Sequence, residues 1–192
     1  MNEPEIAIKP LSARSLPDFL AFFEHDAFAD NPKWAFCYCQ FLYVDHREVV
    51  WSKRTLGENR AAACCRVETG EMRGWLAYAQ GRVVGWCSAA PRSGMHSFDD
   101  EPVADADRIG VIGCFVIAQP WRRKGIARRL LRAACDGFER DGLSQVQAFS
   151  MRGALGDGEN HFGPLSLYLQ AGFEIVSEND DGEVRLVLRF PS

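Results

Sequence analysis

A short basic segment with a glycine follows an apolar run that ends at Ile117. Arg122, Arg123 and Lys124 precede Gly125, and an amphipathic pattern begins directly afterwards. This order predicts a strand, a tight loop and the start of a helix. The first amides of a helix have no intrahelical acceptors, and the positive end of the helix dipole attracts anions. We therefore predict a phosphate or pyrophosphate site at residues 122–127.

The alternative interpretation of this segment is a basic helix start on the protein surface. The helix dipole disfavours cations at that end, so three of them in a row need an anion to offset them. Gly125 would let the backbone approach such an anion closely. Lys124-Gly125 lacks the Gly-x-x-x-x-Gly-Lys-Ser/Thr pattern, which disfavours a nucleoside triphosphatase.

The pattern Arg122-x-x-Gly125-x-Ala127 resembles the acyl-CoA pyrophosphate loop of the GCN5-related N-acetyltransferases, the GNAT superfamily. The pattern in that family is Gln/Arg-x-x-Gly-x-Gly/Ala, and Ala127 stands where glycine is commoner. The segment from Tyr168 to Gly172-Phe173 is similar to the late Tyr-x-x-x-Gly-Phe segment of the same family. The resemblance covers residues 75–190 and leaves the first 70 residues poorly matched.

The resemblance implies an acetyl-CoA site with a defined role for each segment. The backbone at the end of the central strand pairs with the pantetheine arm, and an amide there binds the developing oxyanion. Tyr168 is placed near the CoA sulfur and protonates the leaving thiolate, although it could instead be a helix tyrosine with an exposed tip. The implied cofactor-binding residues are Phe115, Val116, Ile117, Arg122, Arg123, Lys124, Gly125, Ile126, Ala127 and Asn160, with His161 as a weaker candidate.

The sequence does not identify a general base. Many relatives carry a glutamate on the central strand, but residues 108–117 contain no carboxylate. An ordered water is one alternative, and the side-chain candidates are Glu24, His25, His96, Asp99, Asp105 and Asp107. Cys114 keeps a covalent acyl-enzyme open as a minor alternative.

Two further groups of residues in the first 70 allow competing interpretations. Cys37-Tyr38-Cys39 and Cys64-Cys65 lack zinc-knuckle spacing, so we predict core thiols and no metal. The roles of these four cysteines are otherwise open. The aromatic residues either line an acceptor pocket or belong to the core, and they are Trp34, Phe36, Tyr38, Phe41 and Tyr43.

The hydrophobic patterning predicts the elements that would position these residues. Strands are expected at 5–9, 75–79, 82–90, 108–117, 145–151, 173–177 and 183–190. Helices are expected at 16–27 with Ser15 as cap, 48–56, 59–68, 127–140 and 165–171, with Gly57 and Gly70 as helix stops. The fold class is α/β, with a mixed, largely antiparallel sheet flanked by helices and splayed at the acyl-CoA site. Residues 1–192 form one domain, of which 1–70 are the acceptor side and 75–190 the acyl-CoA-binding core.

Composition limits the class of protein. A net charge of −4 disfavours nucleic acid, and no apolar run is long enough to span a membrane. Seven cysteines without a signal peptide favour reduced thiols in the cytoplasm. The expected function is acetyl transfer from acetyl-CoA to a small-molecule or peptide amine, by direct attack in a ternary complex. A non-catalytic acyl-CoA-binding regulator and a transferase of longer acyl groups are the alternatives, and a homodimer is compatible with the sequence.

Overall fold

The computed structural model describes residues 5–98, 101–153, 156 and 160–191. These residues form a seven-stranded sheet of order β1-β2-β3-β4-β5-β7-β6. Neighbouring strands are antiparallel except for the parallel pair β4 and β5. The strands are β1 (Ile6–Pro10), β2 (Gly74–Ala79), β3 (Arg82–Pro91), β4 (Ile109–Ile117), β5 (Gln145–Met151), β6 (Glu174–Glu178) and β7 (Glu183–Arg189). The predicted fold class is confirmed.

Four α-helices in the described part of the chain flank the sheet. They are α1 (Leu16–His25), α2 (Leu56–Thr69), α3 (Ile126–Arg140) and α4 (Leu165–Gln170). Phe19 of α1 packs edge-on against Trp86 of β3, with 5.1 Å between ring centroids. A Cβ built on Gly85 would lie 3.1 Å from Ile126 of α3. Because successive strand residues face opposite sides of a sheet, α1 and α3 cover opposite faces.

The predicted helix at residues 48–56 is wrong. Only a 3-10 turn, Trp51–Lys53, forms there, and α2 begins at Leu56. Thr55 and Glu58 explain this start, because they form a capping box in which each side chain accepts from the other's amide, at 3.2 and 2.7 Å. Gly57 therefore lies in the first turn of α2 and stops no helix. Gly70 does end α2, with a left-handed φ of 77°.

The start of α1 follows the prediction, but its capping does not. Ser15 occupies the N-cap position, yet its hydroxyl accepts from the Ser12 amide at 2.9 Å and donates to the Ser12 carbonyl at 3.1 Å. It caps no amide of α1. The helix ends at His25, two residues before the predicted end.

A bulge in β4 leads into the site. Ser88 of β3 opposes Cys114 and Ala89 opposes Ile112, so Gly113 is an extra residue in β4. A Cβ at Gly113 would lie 2.2 Å from Leu42 Cδ1, so any larger residue requires Leu42 to move. Pairing between β4 and β5 ends at Ile112, whereas β4 continues to Ile117. This divergence is the predicted splay.

Candidate functional site

A cleft of about 890 Å³ lies where β4 and β5 diverge. Its lining comes from the end of β4, the basic loop before α3, the segment around residue 161, and the segment after α1. Every predicted cofactor-binding residue except one lines the cleft: Phe115, Val116, Ile117, Arg122, Arg123, Gly125, Ile126, Ala127 and Asn160. The exception is Lys124, whose ammonium lies 4.9 Å from the centre of the Trp121 ring.

The basic loop has the backbone conformation of an anion-binding turn. Arg123 and Gly125 both adopt left-handed conformations, with φ of 62° and 73°. Gly125 is the N-cap of α3, and the first helical bond runs from the Arg129 amide to the Gly125 carbonyl at 3.2 Å. The amides of Ile126 and Ala127 therefore belong to the group that a helix leaves without intrahelical acceptors. Both residues line the cleft.

Arg122 is bonded within the protein and ties the loop to two other segments. Its guanidinium binds Asp30 through both terminal nitrogens, with Nη2 2.9 Å from Oδ1, and its Nε donates to the Ile117 carbonyl at 3.0 Å. The hydrogen bond from Arg122 lowers the pKa of Asp30 below its usual value. Of the three adjacent basic residues, Arg122 is therefore neutralised by a carboxylate of the protein itself, that of Asp30. Sequence reasoning missed Asp30, which lies 92 positions away from Arg122.

The end of β4 presents backbone groups to the splay. The Ala118 amide donates to the Val84 carbonyl of β3. In an antiparallel pair, only every second residue of a strand bonds to the neighbouring strand. The backbone N–H and C=O groups of Phe115 and Ile117 therefore point away from β3. The Phe115 amide donates to the His161 carbonyl at 2.6 Å. The Ile117 carbonyl accepts from Arg122. The Ile117 amide and the Phe115 carbonyl point to the same side, where an extended ligand could pair with them.

Residues 161–163 are held over the splay by three donors. The Phe115 amide binds the His161 carbonyl, the Tyr168 hydroxyl binds the Phe162 carbonyl at 2.5 Å, and Ser150 Oγ binds the Gly163 carbonyl at 3.0 Å. Three consecutive carbonyls are thus bonded by β4, α4 and β5. We call this segment the carbonyl clamp. Ser150 is fully buried, and no sequence pattern points to its role.

Tyr168 lies in the core next to the cleft. Its side chain is 1% exposed, so the alternative of an exposed tip is wrong. Its ring packs edge-on against Phe173 at 5.3 Å between centroids and lies 6.4 Å from Phe115. Burial raises the pKa of Tyr168 well above its usual value. Tyr168 is absent from the described residues that line the cleft, and the structure does not test its predicted acid role.

The aromatic cluster of the first 70 residues divides between three environments. Trp34 lines the cleft and meets the His161 ring edge-on, with 5.2 Å between centroids. Tyr38 and Tyr43 are buried in the core, so neither prediction for the cluster holds for all its members. Phe36 and Phe41 pack on Trp51, at 5.4 and 5.2 Å between centroids.

The described base candidates lie outside the cleft lining, namely Glu24, His25, His96, Asp105 and Asp107. Glu24 is paired with Arg60 at 2.8 Å, and His25 is exposed at the end of α1. Asp99 lies outside the described residues. The imidazole that does line the cleft belongs to His161.

The cysteines of the described chain are free thiols, and no group of three or more potential metal ligands occurs among the described residues. Cys39 Sγ accepts from Trp86 Nε1 at 3.2 Å. Burial raises the pKa of the Cys37 thiol to about 12.

None of the helices described here is both long enough and apolar enough to cross a membrane.

Comparison with known proteins identifies the family of the chain. The model of the Acetyltransferase (GNAT) family matches residues 23–153. The structure of YncA, a putative acetyltransferase from Salmonella typhimurium solved with its cofactor acetyl-CoA, is 13% identical. The alignment has a TM-score of 0.60 and covers 98% of this chain and 95% of that one.

Two further solved structures share the fold. The PaiA N-acetyltransferase from Thermoplasma acidophilum, in complex with coenzyme A, is 15% identical with a TM-score of 0.57, and the alignment covers 97% of this chain and 99% of that one. The ribosomal-protein-S18-alanine N-acetyltransferase from Escherichia coli is 12% identical with a TM-score of 0.55, and the alignment covers 98% and 96%. No curated protein matches the sequence. The family model spans more than half of the chain, and the chain therefore belongs to the GNAT family of acetyltransferases.

Proposed function

We propose that this protein transfers an acetyl group from acetyl-CoA to an amine. The observation that carries the proposal is one cleft that joins a helix N-terminus to an opened strand edge. The amides at the start of α3 suit the pyrophosphate, and the edge of β4 suits the amide groups of the pantetheine arm. Acetyl-CoA and coenzyme A in the Salmonella and Thermoplasma neighbours support this choice of donor.

The proposed reaction is direct attack in a ternary complex. A neutral amine attacks the thioester carbonyl carbon, the new C–N bond forms, and the C–S bond breaks. The Ile117 amide, which points into the splay, would stabilise negative charge on the carbonyl oxygen. The region that includes Val116 and Ile117 is therefore assigned to the oxyanion.

Tyr168 is proposed to protonate the departing thiolate. The phenol is protonated at neutral pH, which is the form that an acid requires, because its ordinary pKa is near 10 and burial raises that pKa further. The proton now points to the Phe162 carbonyl, so this role requires the hydroxyl to exchange that acceptor for sulfur. The second candidate is an acyl-CoA-binding regulator without turnover. It is favoured by the same hydrogen bond, because a hydroxyl that stays on the Phe162 carbonyl cannot protonate sulfur.

The acceptor is proposed to be a small molecule or a peptide amine. The Escherichia coli neighbour is named for an alanine of a ribosomal protein, which supports a peptide amine as one member of the set. The acceptor end of the cleft is proposed to lie beside Trp34, which belongs to the segment after α1.

The test measures CoA release from acetyl-CoA with a panel of small amines, antibiotics and peptide N-termini. We expect turnover with at least one amine, and a Tyr168→Phe rate lower by about 10²–10⁴-fold. Tyr78→Phe is the matched control, because its hydroxyl bonds to Asp18 on the surface. Tight acetyl-CoA binding without turnover on any amine would identify the regulator instead. A series of acyl chain lengths, followed by product mass, separates acetyl transfer from transfer of longer groups.

A further inference from the structure

We propose that His161 is the general base that takes the proton from the acceptor amine, an inference that rests on the proposed acetyl transfer. The motif and the family resemblance suggest no more than a CoA contact for this residue. The geometry of the carbonyl clamp gives it a different position.

The backbone of His161 is fixed beside the reacting centre. Its carbonyl accepts from the Phe115 amide at 2.6 Å, two residues before the Ile117 amide assigned to the oxyanion. The next two carbonyls are held by Tyr168 and by Ser150, both of which are buried. The bond from Ser150 makes this serine a positioning residue for His161, whereas the bond from Tyr168 is the one that the proposed acid step exchanges for sulfur. The first of these bonds also accounts for a buried serine on β5 whose hydroxyl would otherwise have no role.

The imidazole of His161 is oriented by aromatic rings at the acceptor end of the cleft. Its centroid lies 5.2 Å from the Trp34 ring, edge-on, and 4.1 Å from the Phe162 ring. Trp34 belongs to the segment after α1 and lines the same cleft as the end of β4. The ring is therefore held inside the cleft, beside the splay into which an acetyl group would be inserted.

The other charged groups in the described lining of the cleft are poor candidates for the general base, in contrast to the imidazole of His161. Asp30 is paired with Arg122, and Arg152 is paired with Glu178 at 2.6 Å. The remaining charged groups in the described lining are the guanidinium groups of Arg123 and Arg128. Each can bind phosphate but cannot accept a proton at neutral pH. Imidazole is the side chain whose ordinary pKa allows it to accept a proton near pH 7.

The proposed step conserves charge and protons. As the amine nitrogen bonds to the thioester carbon, one N–H proton passes to neutral His161. The C–S bond then breaks, and the thiolate receives the proton of Tyr168. The imidazolium later returns its proton to solvent, and the tyrosine is reprotonated from solvent.

The experiment compares His161→Gln with His25→Gln, a surface histidine outside the cleft. We expect His161→Gln to lower kcat/KM by about 10²–10⁴-fold and to remove the acidic limb of its pH profile, while the affinity for acetyl-CoA stays within about threefold. The acceptor should have a pKa outside the pH range that is scanned. Added imidazole should restore part of the activity of His161→Ala. His25→Gln should match the wild type.

A second variant tests the positioning by the clamp. Ser150→Ala keeps the base and should lower kcat by up to about 100-fold with little change in KM, while the acidic limb remains. His161→Gln with an unchanged pH profile and a rate within threefold of wild type would overturn the assignment while leaving acetyl transfer intact. Absence of turnover by the wild type on every amine would instead remove the proposed function, and this inference with it.

Discussion

The hydroxyl of Tyr168 is the part of the carbonyl clamp whose removal has the most calculable effect. Tyr168→Phe keeps the ring and its packing, and it removes only the donor to the Phe162 carbonyl at 2.5 Å. The side chain is 1% exposed, so water cannot replace that donor. A lost buried hydrogen bond that leaves its acceptor unsatisfied costs about 1–3 kcal/mol in the free energy of unfolding. At about 2–4 °C per kcal/mol for a chain of this size, Tm should fall by about 2–12 °C.

The assay is urea unfolding of the wild type, Tyr168→Phe and the surface control Tyr78→Phe. The control loses a hydrogen bond that solvent can replace, so its change should stay within about 0.5 kcal/mol. A pH series adds an independent check. Because the pKa of Tyr168 is higher in the folded protein than in the unfolded chain, its contribution to stability is complete below about pH 10 and is lost as pH rises further. Tyr168→Phe should lack this loss. If Tyr168→Phe were as stable as the control, the phenol would not hold the clamp.

Three further changes test other parts of the site. Asp30→Asn should cost about 0.5–1 kcal/mol at pH 7. This loss of unfolding free energy should vanish as pH falls through the lowered pKa of Asp30, because the carboxylate then becomes protonated in the wild type. An equal loss at pH 7 and at pH 3, measured by urea unfolding, would contradict the ion pair. Gly125→Ala places a side chain at a φ of 73° without a clash. It should lower the free energy of unfolding by about 1–2 kcal/mol and weaken acetyl-CoA binding measured by calorimetry. The control Gly57→Ala, whose new methyl group enters open space, should do neither. Gly113→Ala should lower the free energy of unfolding by about 1–3 kcal/mol, because the new methyl group crowds Leu42. In a double-mutant cycle, Gly113→Ala should cost less in the background of Leu42→Ala. Strictly additive costs would refute the crowding.

Local patterns were sufficient to predict most elements of residues 75–190. The hairpin at Gln80-Gly81 follows from its turn residues, which both adopt positive φ. The helix at α3 follows from apolar residues at helical spacing, and its residues Ile126, Leu130, Leu131, Ala134 and Phe138 are buried. The basic loop was recognisable because its chemistry lies in a few consecutive residues.

Other parts of the fold and of the cleft depend on tertiary contacts, which a single sequence does not display. Asp30 meets Arg122 only after the sheet has formed, and Ser150 meets Gly163 through the backbone carbonyl, which leaves no side-chain signature. The helix predicted at 48–56 does not form. Trp51, an apolar residue of the pattern that predicted it, packs instead against Phe36 and Phe41. The placement of Gly113 as a bulge likewise depends on the register against β3.

Residue-resolved amide hydrogen exchange with and without acetyl-CoA would locate the donor site on the chain. Binding should slow exchange at the start of α3, at Ile126 and Ala127, and at the Ile117 amide on the edge of β4. Exchange in the second groove, which lies over the paired strands β5 and β7 around Gln147 and Val187, should not change. No protection at saturating acetyl-CoA, or protection in that groove while β4 and α3 stay unchanged, would contradict the site.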